Sequence, residues 1–128
     1  MRNKPVFKKS VLVAALSAMF VWPASAAIVN WTDATGFWDV ASNWSSNPLL
    51  PGAIDDVTIN VTGVQTITHN TGTHTVNSVS ITGDETLDIT GGSLSTGVLN
   101  NTGTVTVSGG TLNFTGGNSG KMNFNSGV

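Results

Sequence analysis

The chain has 128 residues, no cysteine and only 12 charged side chains, which excludes a disulfide framework and a thiolate metal centre and argues against a thick globular core. Four of the five cations (Arg2, Lys4, Lys8, Lys9) precede residue 10. From residue 27 onward Lys121 stands alone against seven acids, a net charge of −6 that disfavours nucleic acid and anionic membrane surfaces as partners.

Residues 1–26 read as a secretory signal peptide. A basic start (Met1–Ser10) leads into an apolar run from Val11 to Trp22, and Pro23 then precedes Ala24-Ser25-Ala26, an A-x-A cleavage site. This run of twelve residues falls well short of the roughly 20 needed to span a bilayer, so no membrane span is expected after cleavage. The expected localisation is secreted or at a bacterial cell surface, reached through the Sec pathway.

Residues 27–53 differ in composition from residues 54–128. Trp31, Trp38 and Trp44 lie within fourteen residues, beside Phe37, and Pro48, Pro51 and Gly52 mark loops. Two readings stand side by side. The first rung of a stacked structure has no neighbour beneath it and needs a plug of large apolar side chains, so the segment is expected to be an N-terminal cap. Alternatively, Trp31, Trp38 and Trp44 form a platform on which sugar rings stack.

Residues 54–128 carry a repeat. The unit apolar–x–apolar–(Thr/Ser)–Gly occurs at Ile59–Gly63, Val79–Gly83, Leu87–Gly91, Val105–Gly109 and Leu112–Gly116. Alternation puts two apolar side chains on one strand face, and the glycine supplies a corner. Thr86–Thr96 laid over Thr104–Phe114 matches at an offset of 18, with four of eleven positions identical. The unit starts step by 20, 8, 18 and 7, as if each turn carries two or more strands separated by corners. A repeat of that length predicts about four rungs of a β-solenoid, with Ile59, Val61, Ile81, Leu87, Ile89, Val105, Val107, Leu112 and Phe114 stacked inward. An antiparallel β-sandwich is the alternative, since it also combines short strands with Gly-rich turns.

Several residues invite a chemical reading. Asp55-Asp56 and Asp84-Glu85 with Asp88 are acidic clusters, but the calcium-binding nonapeptide of β-rolls is absent, so solvated turn carboxylates are expected. Polysaccharide hydrolysis needs two carboxyls about 5–10 Å apart across a cleft, and a lyase needs a basic residue that Lys121 alone supplies in the mature chain. His69 and His74 lack further ligands for a zinc site and are expected as exposed turn or strand residues. Thr-x-Thr pairs at 66/68, 73/75 and 104/106 step by 7 and 31, so no continuous threonine ladder is expected. Asn60, Asn100, Asn101 and Asn113 are expected to form hydrogen-bonded ladders at turns. No metal, cofactor or catalytic residue is assigned.

The segments Trp31–Trp38, Ala41–Trp44 and Pro51–Ile59 resemble the mature N-terminus of bacterial autotransporter-type passengers and related repeat-rich surface proteins. Gly91-Gly92-Ser93-Leu94 and Gly109-Gly110-Thr111-Leu112 resemble the autotransporter-associated β-strand repeat. The resemblance implies an all-β, right-handed parallel β-helix outside the cell. It also implies a longer protein, with the C-terminal edge at Asn125–Val128 continuing into or pairing with further solenoid. The expected function is an exported, non-catalytic surface module, adhesin- or passenger-like, facing a glycan or host-surface ligand. A carbohydrate-binding module built on the three Trp, and a β-helix polysaccharide-degrading enzyme, are the alternatives.

Overall fold

The computed structural model describes residues 2–3, 25–117 and 120–125; most of the expected signal peptide and its apolar run lie outside the described residues. Ten strands follow in order: β1 (Ile28–Asn30), β2 (Gly36–Phe37), β3 (Asp56–Ile59), β4 (Thr66–His69), β5 (Thr73–Ile81), β6 (Thr86–Ile89), β7 (Ser93–Asn101), β8 (Thr104–Val107), β9 (Thr111–Gly117) and β10 (Lys121–Phe124). One 3-10 turn, Ala41–Asn43, is the sole helical element among the described residues.

Odd strands stack into one five-stranded sheet, β1-β3-β5-β7-β9, and even strands into a second, β2-β4-β6-β8-β10. Every pairing between these strands is parallel, and a lone antiparallel bridge joins Trp31 to Trp44. The chain is therefore a parallel β-solenoid of about three turns, and the antiparallel sandwich is excluded. The alternating long and short steps of the repeat have a direct cause. Steps of 8 and 7 carry the chain from one sheet to the other, and the step of 18 from Leu87 to Val105 stays on one sheet and is a register pair.

The 18-residue self-match is itself the strand register. Thr86–Ile89 lie on Thr104–Val107, and Ser93–Thr96 on Thr111–Phe114. Earlier coils are longer: Val57 pairs Val79 across 22 residues, and Val79 pairs Leu99 across 20. Residues 54–128 thus hold four strands of each sheet, the four rungs expected, joined by about three turns of 22, 20 and 18 residues.

Strands β5 and β7 change parity midway. In β5 the inward residues are Val76 and then Val79; in β7 they are Thr96 and then Leu99, so the two-residue alternation slips by one at Asn77 and Gly97. Thr96 Oγ1 donates to the Val98 carbonyl at 3.0 Å and Thr115 Oγ1 to the Gly97 carbonyl at 2.7 Å, satisfying backbone groups at the slip.

Between the sheets, like residues stack on like. Val29, Val57, Val79 and Leu99 form one column; Ile67, Leu87, Val105 and Met122 form another. Each fully buried aliphatic side chain contributes about 1.5–3 kcal/mol, so a thin core built of such columns suffices without large residues. The nine positions expected inward are all buried or pack against the core, Val61, Val107, Leu112 and Phe114 partly so. Not every repeat glycine turns a corner through left-handed backbone. Gly63 and Gly83 do, with φ of 90° and 77°. Gly109 instead lies so close to the coil below that a Cβ would overlap the Thr90 carbonyl oxygen.

Candidate functional site

The Trp-rich segment does not sit on the solenoid as a separate plug. It forms a coil of its own: β1 pairs β3, β2 pairs β4, and the Trp31 and Trp38 amides donate to the Thr58 and Thr68 carbonyls, each at 2.9 Å. These bonds place Trp31 under Ile59 and Trp38 under His69. Trp31, Trp38 and Trp44 are 3%, 0% and 1% exposed. A sugar-stacking platform presents a ring face to solvent, and none of these three does. They pack edge to face instead, with Trp44 4.8 Å from Trp31 and 4.6 Å from Trp38 between ring centroids. Trp44 Nε1 donates to the Trp38 carbonyl at 2.7 Å and Trp31 Nε1 to the Ala34 carbonyl at 2.9 Å, whereas Trp38 Nε1 is buried with no hydrogen-bond partner. Buried Asn43 donates from Nδ2 to the Phe37 carbonyl at 3.0 Å and holds the loop that delivers Trp44.

The aromatic contacts continue upward into two histidines. The Trp38 and His69 rings lie 6.1 Å apart, and the His69 and His74 rings 5.0 Å apart, nearly perpendicular. This corrects the expectation of exposed histidines: His69 is fully buried and His74 half-buried. The reason is strand parity. His69 is two residues from buried Ile67 and aligns with Ile89, so it occupies a core column. A carbonyl can only accept, so His69 Nδ1 donates to the Gly91 carbonyl at 2.9 Å; its Nε2 then accepts from His74 Nδ1 at 2.9 Å. Burial first, then the neighbouring His69, holds the His74 imidazole below the usual histidine value, against an opposing pull from Asp39.

Glu85 overturns a second expectation. It is 1% exposed and lies at the corner between β5 and β6, rather than being solvated. Its Oε1 accepts from the Val61 amide of the previous coil at 2.9 Å, and its Oε2 has no hydrogen-bond partner. The other acids serve the surface. Asp55 accepts from the Gly52 and Ala27 amides, Asp56 from Ser78 and Asn77, and Asp88 from Ser108. The bonds from Ser78, and then Asn77, hold the Asp56 carboxyl below its usual value. Among the described residues no three His, Asp or Glu are grouped to hold a metal ion.

The outer face of the even-strand sheet differs from expectation too. Thr66, Thr86 and Thr104 are consecutive register partners and form a threonine column, flanked by Thr68, Asp88 and Thr106. Thr66 and Thr104 are two coils apart, separated by one step of 20 and one of 18, so comparing neighbouring Thr-x-Thr pairs could not reveal the column. The asparagines do not stack on one another: Asn101 continues the column of Ile81, Asn100 follows Ser80, and Asn113 donates to Ser95 Oγ.

Fold and side-chain placement define a parallel β-solenoid that encloses Trp31, Trp38, Trp44, His69 and Glu85, with the remaining acids and the hydroxyl columns outside. The chain matches no protein-family model, no curated protein and no solved structure.

Proposed function

We propose that the chain is an exported, non-catalytic β-solenoid surface module, adhesin- or passenger-like, that presents its outer faces to a glycan or host-surface ligand. The observation that carries this reading is the division of labour between inside and outside. Trp31, Trp38, Trp44, His69 and Glu85, the side chains best suited to chemistry or stacking, are all buried. The outer columns are short and hydroxylated: Thr66, Thr86 and Thr104 on one sheet, and Thr73, Ser93 and Thr111 on the other. Such a surface is regular and backed by a continuous hydrogen-bonded ladder, which suits display more than turnover. Export is supported by the n-, h- and c-region pattern of residues 1–26.

The test is to express the full chain in a bacterial host, fractionate the cells and sequence the mature N-terminus. The reading expects a product starting at Ala27 outside the cytoplasm, which binds glycans or host cells on an array. It also expects that Thr66→Glu with Thr104→Glu lowers binding without changing the melt. A cytoplasmic product retaining Met1, or turnover of a polysaccharide panel, overturns it.

A further inference from the structure

We propose that the His69–His74 pair is an acid-released latch: while both rings are neutral it closes the corner between β4 and β5, and when the pair takes up two protons that corner opens. The corner Asn70-Thr71-Gly72 is where the chain passes from one sheet to the other, and the two rings meet across it, Nε2 of His69 to Nδ1 of His74, at 2.9 Å. His69 also reaches the next coil, through Nδ1 to the Gly91 carbonyl at 2.9 Å. One hydrogen-bonded pair thus joins two sheets and two successive coils.

The proton count decides the behaviour. With Nδ1 of His69 committed as a donor, its Nε2 is the acceptor of the pair and His74 Nδ1 the donor. A first proton leaves the bond in place: it sits on His74 Nε2, or on His69 Nε2 with the His74 tautomer reversed, so that a charged N–H donates to a neutral ring nitrogen. A second fills the one ring nitrogen of the pair still without hydrogen. Both facing nitrogens then carry hydrogen, the bond is lost, and two cations face each other at a ring separation of 5.0 Å against Trp38. Two protons on the pair and the 2.9 Å bond between its rings are therefore mutually exclusive.

Little else nearby can compensate. From the Trp-rich coil Asp39, next to Trp38, is the carboxylate that acts on His74. From β6, Asp88 faces outward and accepts from Ser108. The rest of β4 and β5, all of β7, and the corners 70–72 and 90–92 supply no titratable group.

The test compares thermal unfolding of the protein and of His74→Gln from pH 8 to 4.5, with hydrogen exchange at Thr90 and Gly91, whose amides donate to the His69 carbonyl at 2.9 and 3.2 Å. Glutamine can still donate to His69 but cannot take a proton. The latch predicts that acid lowers the melting temperature of the unmodified protein by at least about 5 °C more than it lowers that of His74→Gln. It also predicts that protection at Thr90 and Gly91 is lost in acid before protection at Leu87 and Val105. Parallel pH profiles for the two proteins overturn the proposal. Should His74→Gln fail to fold, imidazole NMR on the unmodified protein decides: coupled titration with loss of protection supports the latch, and two independent titrations near about 6.5 with protection intact overturn it.

Discussion

The indole N–H of Trp44 donates to the main-chain carbonyl of Trp38 at 2.7 Å, with both rings fully enclosed. This bond locks the first coil: it ties the loop after the 3-10 turn to the residue that packs against His69. Trp44→Phe keeps a ring but leaves the Trp38 carbonyl without that donor, at an expected cost of about 1–3 kcal/mol. Trp44→Ala opens a cavity as well and should cost about 3–5 kcal/mol. Chemical denaturation of both proteins measures the order. Acrylamide should leave the three indoles unquenched in the folded protein.

Glu85 is a buried carboxylate with one oxygen engaged and one not. Glu85→Gln keeps an oxygen for the Val61 amide and removes a charge whose burial is costly. The expected melting temperature is equal to or above that of the parent near neutral pH. Glu85→Ala orphans the Val61 amide and should lower stability by about 1–3 kcal/mol. A Gln substitution much weaker than the Ala substitution would contradict this account.

Two glycines separate backbone constraint from mere tolerance. Gly92 has φ of 66°, and a Cβ there would overlap the Gly72 carbonyl oxygen of the coil below. Gly116 has open space around its Cβ position. Gly92→Ala should therefore destabilise the solenoid, whereas Gly116→Ala should be neutral or gain up to about 1 kcal/mol by restricting the unfolded chain. Paired melts check the contrast.

Asp56 carries an acid dependence of known sign. Hydrogen bonds from Ser78 and Asn77 lower its folded pKa below the unfolded value of 3.8. The folded state thus binds its proton less readily. The stabilisation is present above the unfolded value and lost as pH falls through the lowered one. Asp56→Asn should flatten the melting curve's pH dependence below about pH 4 and leave it unchanged near pH 7.

Much of the architecture is legible in residue order. The five alternating units mark strand cores, and the offset of 18 between Thr86–Thr96 and Thr104–Phe114 is the physical register of β6 on β8 and β7 on β9. Stacked coils put equivalent residues in the same environment, so self-similarity in sequence and pairing in space become one fact. His69 was readable in principle: an offset of 20 aligns Thr66-Ile67-Thr68-His69 with Thr86-Leu87-Asp88-Ile89 and drops His69 into a hydrophobic column. It goes unnoticed because a histidine between threonines looks like a surface residue unless the parity of its strand is known.

What residue order determined by itself was the local alternation, the corners and the dominant period, all set by interactions within a few residues. Coil lengths of 22, 20 and 18 were decided only in three dimensions, because corners absorb extra residues without disturbing the stack. So were the inward turn of Glu85, the meeting of His69 with His74, and the burial of Trp31, Trp38 and Trp44. Each depends on which neighbouring coil lies above or below, and that neighbour is about twenty residues away in sequence.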